Sequence, residues 1–356
     1  MERSKLQTAT RVLILVDSIN KRFPGFSKII GGIQSALPDA VMIDSLEGVS
    51  NSDIVIAVGI VAAKRLAESG LPKRIAFIID SSLLGYSSVC RFYLRKRMFL
   101  DKELYLNFLR YVKYYPIERK IVKVFQTVIV VSIHDCEYLK KKFGCSNMSV
   151  LSNGVDADDH QPGERREFDY TLGVLAYWGA GAYDDFKWFI ESYLPELQKT
   201  FPQLRMITAG RGASAEMIEE FRRHGIEHVG EIEKLSDFFK NIDIFITTLR
   251  KECGILNKVL DAFAHKKIVL GLRHNMLAFK ELHDGYFTYD TIGEMISAIQ
   301  TIRENPILIE AMTQKAFAYV KEYHDWNKNY AALSLMVTAL ANADTNAGSS
   351  SQTIDR

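Results

Sequence analysis

Residues 253–271, CGILNKVLDAFAHKKIVLG, hold the densest set of side chains able to do chemistry. Ile255, Val259, Ala262 and Phe263 recur at helical spacing, and Ile268, Val269 and Leu270 read as a buried strand behind them. That stripe does not account for Asn257, Lys258 and Asp261, which fall in the first turns after Gly254. The first turn of a helix has backbone N–H groups without intrahelical partners and a partial positive charge, so it attracts anions. Gly254 lets the backbone come close to such a group, and Lys258 adds a full charge one turn into a helix that opens there. Asp261 projects from the same face, where a carboxylate accepts hydrogen bonds from vicinal hydroxyls. Asn257 can orient either group. The set suits a phosphate held beside a sugar ring. The competing reading is a surface Lys258–Asp261 pair at i,i+3, worth a few tenths of a kcal/mol.

Two runs of alternating strands and helices must position these residues. RVLILVDSIN, AVMIDSL, DIVIAVG, RIAFIID, TVIVVS and MSVLSNGVD read as short buried strands, with Ser27 as N-cap of the first helix. Residues 87–125 interrupt them with a long helical, aromatic and basic stretch. ADDHQPGERRE is the domain boundary. A second run starts at YTLGVLAYWG and includes DDFKWFIESYLPELQKTF as one helix, opened by the acids of YDD rather than by a metal site. The expected division is an N-terminal domain over 1–155 and a second over 165–325. A helix over 326–341 returns to the first domain, and a tail over 342–356 is too polar to fold. Alternation of this kind gives an α/β fold of two doubly wound parallel sheets. Ligands bind such sheets at the carboxyl ends of the strands, and two sheets facing each other make one cleft.

The bulk numbers exclude other classes. The net charge of this 356-residue chain is +2, so no overall field points to nucleic acid. The four cysteines include no C-x-x-C pair, which sets aside zinc and redox motifs. No run reaches about 18 apolar residues, and Val12–Val16 is too short for a signal-peptide core, so a cytoplasmic protein is expected.

The stretch ECGILNKVLDAFAHKKIVLG resembles the donor-site motif of the group 1 (family 4) glycosyltransferases of the GT-B fold. One subgroup of that family reads Gly-Ile-x-Asn-Lys-x-Leu-Glu, matched here at Gly254, Ile255, Asn257, Lys258 and Leu260. VVSIHDCEYL and VLSNGVD resemble the end of its N-terminal domain. DDFKWFIESYLPELQKTFPQLRMITAG and HVGEIEKLSDFFKNIDIFI resemble parts of its nucleotide domain. The likeness runs from about Phe77 to Trp326 and is most specific in the C-terminal half.

The resemblance implies two Rossmann-like domains and a nucleotide-diphosphate sugar as co-substrate, with no other cofactor and no metal. The acceptor, a glycan or a lipid-linked glycan, would sit on the N-terminal domain, and transfer would retain the anomeric configuration. It places Gly254, Ile255, Asn257, Lys258 and Asp261 on the donor and the main chain of Glu231 and Ile232 beside the base. Gly25 falls near the donor phosphate, and Glu252 beside the sugar hydroxyls, one residue out of register. Two departures stand out. The second acid is Asp261 where the family usually has Glu. The basic pair after the first strand of the nucleotide domain is missing from YWGAGAYDDFKW, leaving Lys258 or Arg211 to replace it. Arg211, after a strand end and a glycine, is equally readable as a solvated loop residue. Asp80, ending RIAFIID, is a candidate base for the acceptor hydroxyl or an N-cap. His134 lies near the same cleft, in a catalytic or a structural role. A nucleotide-sugar epimerase and a non-catalytic sugar-nucleotide-binding scaffold are the rival readings.

Ten Lys and Arg residues lie between Arg91 and Lys123 against three acids, a net +7 in a chain of +2, interleaved with eight Phe and Tyr. Basic heads with aromatic rings suit a helix on an anionic leaflet. That gives an expected peripheral place on the inner face of the plasma membrane. Packing of the rings into the domain, with solvated charges, is the alternative.

Overall fold

The computed structural model describes residues 10–17, 24–155, 168–252 and 254–349. The segment expected as the domain boundary, 157–167, lies outside them, as do Cys253 and residues 350–356. The chain divides into two compact units, one from Met1–Asn153 with Trp326–Arg356, the other from Gly154–Asp325.

In the first unit the elements are β1 (Val12–Val16), α1 (Pro24–Ala36), β2 (Val41–Ile43), β3 (Ile54–Val58), α2 (Ile60–Glu68) and β4 (Arg74–Ile79), then α3 (Ser82–Arg95), α4 (Lys102–Val124), β5 (Thr127–Val130), α5 (Ile133–Phe143) and β6 (Met148–Val150). The strands form one parallel sheet in the order β2-β1-β3-β4-β5-β6. All five residues of β3 are buried, as expected of a strand covered on both faces. Helix α1 opens at Pro24, so Ser27 lies inside it rather than capping it. Proline presets the first helical φ and lacks an N–H that would be unpaired there.

The stretch 87–125 resolves into a helical hairpin. Helix α4 carries Glu118, fully buried, across to the start of α3. Its carboxylate accepts from Ser81 Oγ at 2.9 Å and from Leu83 N at 3.2 Å. Ser81 N in turn donates to Asp135 Oδ1 at 2.6 Å, and Asp135 also accepts from Ser132 Oγ. Ser81, not Asp80, is the N-cap of α3. One polar knot therefore ties α3, α4 and α5 to the ends of β4 and β5.

In the second unit the elements are β7 (Thr171–Leu175), α6 (Ala180–Ser192), α7 (Leu194–Thr200), β8 (Arg205–Ala209), α8 (Ala215–Arg223), β9 (Ile226–His228) and α9 (Leu235–Phe239), then β10 (Ile244–Ile246), α10 (Asn257–Ala264), β11 (Ile268–Leu272), β12 (Phe287–Tyr289), α11 (Ile292–Glu304) and α12 (Pro306–Tyr323). Their parallel sheet has the order β12-β11-β10-β7-β8-β9. The helix expected from DDFKWFIESYLPELQKTF breaks at Tyr193 into α6 and α7. Pro195 is the cause, since it supplies no N–H to the ladder and its ring displaces the carbonyl one turn back.

A last helix, α13 (Trp326–Ser349), packs on α1 in the first unit. Gly32 permits this approach, because a Cβ there would lie 3.2 Å from the Tyr330 ring. Ser334 Oγ donates to Ala36 O at 2.7 Å and Asn329 Nδ2 to Ser152 O at 3.1 Å. Helix α13 runs to Ser349, past the end expected at 341. Adding residues to a formed helix costs little, and Ala343 and Ala347 favour it. Among the described residues no helix is long and apolar enough to cross a membrane.

Burial pushes the Glu118 carboxyl up from an ordinary value near 4.5 to about 7, with the charge of Asp80 adding to the push. The folded state thus holds the proton more tightly than the unfolded chain. The corresponding stability is present below pH 4.5 and is lost as the pH rises toward 7. Glu118→Gln should remove this loss, on the order of 3 kcal/mol. Thermal unfolding of the two proteins should diverge between pH 4.5 and 7, with the variant the more stable at the upper end. Parallel Tm profiles would show that Glu118 ionises alike in the folded and unfolded chain.

Candidate functional site

Winding in the second unit runs from β7 outward through β8 and β9, then restarts beside β7 with β10 and continues to β12. The loops after β7 and β10 therefore leave in opposite directions and part above their carboxyl ends. A cavity of about 300 Å³ lies there. Its walls include Val174–Trp178 at and beyond the end of β7, Phe245–Leu249 at and beyond the end of β10, and Ile255–Val259 at the start of α10.

Gly254 has φ 66, a left-handed conformation that a helix cannot begin from, so α10 starts at Asn257 rather than at Gly254. Lys258 is thereby the second helical residue, closer to the positive end than one full turn in. The N-cap is Leu256, which makes no side-chain cap hydrogen bond. A leucine has no oxygen to place there, so the positive end of α10 is presented to the cavity by Asn257 and Lys258. Asp261 is 6% exposed and is not among the residues lining the cavity, and its main-chain oxygen accepts from His265 N at 3.1 Å.

Three loops are stapled beside the cavity. Gly210, at φ 116, has no room for a side chain, because a Cβ would lie 1.8 Å from Ala176 O. Gly210 N donates to Gly230 O at 2.7 Å, Ala176 N to Ala209 O at 3.0 Å, and Trp178 N to Arg211 O at 2.9 Å. The structure brings Arg211 and Glu231 together, 3.8 Å apart and both exposed, an ion pair worth at most about 1 kcal/mol. Ile232 instead lines a separate cavity of about 340 Å³ with Arg205, Glu227 and Asp237. Glu252 is half-buried in the loop before α10, and its charge acts on His274. Burial pushes His274 down, its contact with Leu249 O and the Glu252 charge oppose that, and its Nε2 lies 2.7 Å from Leu249 O.

Reading the sequence missed one pair. Arg250, just after β10, meets Asp185 of α6 at 2.5 Å (Nε to Oδ1), and Arg250 N donates to Asp185 Oδ2 at 3.3 Å. Both side chains are largely buried. Burial pushes the Asp185 carboxyl up and the Arg250 guanidinium opposes it. Asp185 is the sixth residue of α6, which is capped at Gly179, so the acids of YDD do not open that helix. No local signal marks the pair, because the arginine of TTLR and its acid lie on separate elements 65 residues apart.

In the first unit Asp80 and His134 follow the adjacent strands β4 and β5, and both are half-buried. The register of β4 on β5 shifts between Phe77 and Ile79, and Ile79 has φ 71. A β-branched residue rarely adopts that conformation, and a bulge at a strand end re-aims the next side chain, here Asp80. Gly25 is the second residue of α1, beyond the carboxyl end of β1. Among the described residues no three His, Cys, Asp or Glu side chains gather as metal ligands.

Residues 171–305, most of the second unit, match the family described as glycosyl transferases group 1. No curated protein sequence matches. Anabaena Alr3699/HepE in complex with UDP is similar in structure with a TM-score of 0.68, at 12% identity over 93% of this chain and 100% of that one. TarM of S. aureus gives 0.61 at 14% identity over 83% and 57%, so this chain spans just over half of TarM's length. Sucrose-phosphate synthase from Thermosynechococcus elongatus gives 0.63 at 13% identity over 82% and 74%. These likenesses show the fold, GT-B, with two Rossmann-like parallel-sheet domains.

The Asp185–Arg250 pair orders the loop that ends the β10 wall. Asp185→Ala should cost on the order of 3 kcal/mol, because it leaves a largely buried guanidinium unpaired. Combining it with Arg250→Met should recover more than half of that loss. Full additivity in the double-mutant cycle, read by thermal unfolding, would mean the two side chains do not interact.

Proposed function

We propose that this chain is a group 1 glycosyltransferase, a reading supported by the match over residues 171–305 and by the GT-B fold, and that it moves a sugar from a nucleotide-diphosphate donor to a glycan or lipid-linked acceptor. The observation that carries the reading is the cavity at the β7/β10 reversal, walled by Asn257 and Lys258 at the positive end of α10. The HepE structures hold UDP, UDP-glucose or UDP with glucose, and a TarM variant holds UDP with α-GlcNAc-glycerol. UDP is therefore the first ligand to try.

The reaction breaks the bond between the anomeric carbon and the diphosphate. Positive charge gathers on the ring and negative charge on the leaving group. Lys258 and the α10 dipole meet the diphosphate as it forms, fixed in advance of the reaction. No metal is needed in this scheme. Ile255 and Gly254 shape the turn, Asn257 orients the phosphate, and the Asp261 carboxylate accepts from the ribose hydroxyls. Arg211 exchanges its exposed Glu231 partner for a donor oxygen, Glu231 and Ile232 edge the base, and Glu252 holds sugar hydroxyls. On the first unit Asp80 takes the acceptor proton, His134 supports it from the start of α5, and Gly25 lets the main chain near the donor. Retention of configuration follows the family.

Lys258→Ala should weaken UDP binding on the order of 10- to 150-fold, the worth of a hydrogen bond to a charged group. Unchanged calorimetric affinity in a folded variant removes Lys258 from the site.

Asp80→Asn should leave UDP affinity within about twofold while lowering transfer and donor hydrolysis by at least roughly 100-fold, the scale of a lost general base. Wild-type protein that binds UDP yet never hydrolyses or transfers from any UDP-sugar would instead be a sugar-nucleotide-binding scaffold.

A further inference from the structure

The hairpin of α3 and α4 divides its aromatic residues between two environments. Tyr93 is buried, while Phe92, Tyr111, Tyr114 and Tyr115 are half-buried. Tyr114 packs on Tyr86 and Tyr115 on Phe143, ring centroids 5.5 Å apart in each case. These rings pack within the first unit. Phe99, Tyr105 and Phe108 are exposed, together with Met98, Leu100, Leu106, Leu109 and Val112. Tyr105, Phe108, Leu109 and Val112 stand at i, i+3, i+4 and i+7 of α4, on the side opposite buried Asn107, Glu118, Ile121 and Val122. Helix α4 thus has a second apolar face that is exposed among the described residues.

The turn at the head of the hairpin continues that face. Leu100 is 95% exposed. The turn is nonetheless built: Arg97 sits at φ 57, Met98 N donates to Tyr93 O at 3.0 Å, and Tyr105 Oη donates to Phe99 O at 2.8 Å. Met98, Phe99 and Leu100 are held outward as a wedge. Exposed cations surround wedge and stripe: Arg95, Lys96, Arg97 and Lys102 at the head, Arg110 and Lys113 along the flank, Arg119, Lys120 and Lys123 beyond the stripe. Of the three acids in 91–123, Glu118 is buried and offsets none of this charge at the surface.

We propose that this face docks on an anionic lipid surface, with Met98, Phe99 and Leu100 entering the acyl boundary and α4 lying in the headgroup plane. Apolar side chains backed by a cationic rim match a layer that is apolar below and negative above. A second copy of the chain fits poorly, because pairing these faces would bring two strongly cationic surfaces together, and protein interfaces exclude lysine from their centres. This inference stands apart from the donor site, since none of its residues lines that cavity.

The test is flotation with vesicles of phosphatidylcholine alone and of phosphatidylcholine with phosphatidylglycerol, at low and high salt. Wild-type protein should float with the anionic vesicles and be released by salt, which shortens the reach of surface charge. The variant F99S/L100S/F108S/L109S should bind on the order of 10- to 100-fold more weakly at every salt concentration. The variant R95S/K96S/R97S/K102S should lose up to about 1,000-fold at low salt and less at high salt. Ile307→Ser, which removes an exposed apolar side chain of α12, should float like wild type. All variants should keep wild-type thermal unfolding and UDP affinity, which separates this outcome from that of the donor site. The proposal is overturned if the wild type ignores anionic vesicles or if the apolar variant floats like wild type. It is equally overturned if the wild type sediments as a dimer that the apolar variant dissociates, or if RNA displaces it through the charges alone.

Discussion

The candidate donor site depends on one topological constraint. A strand–helix–strand crossover in a parallel sheet is right-handed, so winding outward in one direction puts every helix on the same face. Covering the second face requires the chain to return to its first strand and wind the other way. In the second unit that return places β10 beside β7, and the loops leaving the two strands diverge. No side chain has to create the cavity. It is the space that two opposed crossovers leave above neighbouring strand ends, and what the sequence adds is the chemistry of its rim.

The rim is built with its charge on one side. The wall from β7 is aromatic and aliphatic, with Trp178 buried and its Nε1 donating to Ala209 O at 3.1 Å. Glycine at 210 lets the β8 loop lie against that wall, backbone to backbone. The opposite wall carries Lys258 and the positive end of α10. Asp185 neutralises Arg250 next to it, so the arginine orders the loop without adding a second net charge to the rim. A site of this design concentrates its attraction for an anion at one helix start.

Much of this was legible in the sequence. Alternation of short apolar strands with helices gave the fold class, because strands buried on both faces are apolar throughout and need no alternating pattern. Asn257 and Lys258 stood out because an amphipathic stripe left them unexplained, and the structure puts both on the cavity. The start of α10 was misread by three residues, since the left-handed φ of Gly254 is a tertiary outcome and glycine also occurs inside helices. The break at Pro195 was visible in principle, yet the apolar period continues across it and masked it. The Asp185–Arg250 pair spans 65 residues, and the polar knot around Glu118 joins three helices. Neither has a local sequence signature, because each exists only once the sheets have formed.

Helix α4 shows where periodicity fails for a deeper reason. A helix with one buried stripe announces it by contrast with a polar remainder. In α4 one apolar stripe faces the sheet and another faces outward, so the contrast largely cancels and the sequence reads merely as aromatic and basic. Burial separates the two. Ile121 and Val122 are inside with Glu118, while Leu109 and Val112 are outside. The polar knot holds the orientation, since rotating α4 about its axis would pull the Glu118 carboxyl away from Ser81 Oγ and Leu83 N while moving Leu109 and Val112 toward the sheet. A buried carboxyl, costly by itself, thereby keeps the outer face outward and holds its wedge and cations in one surface.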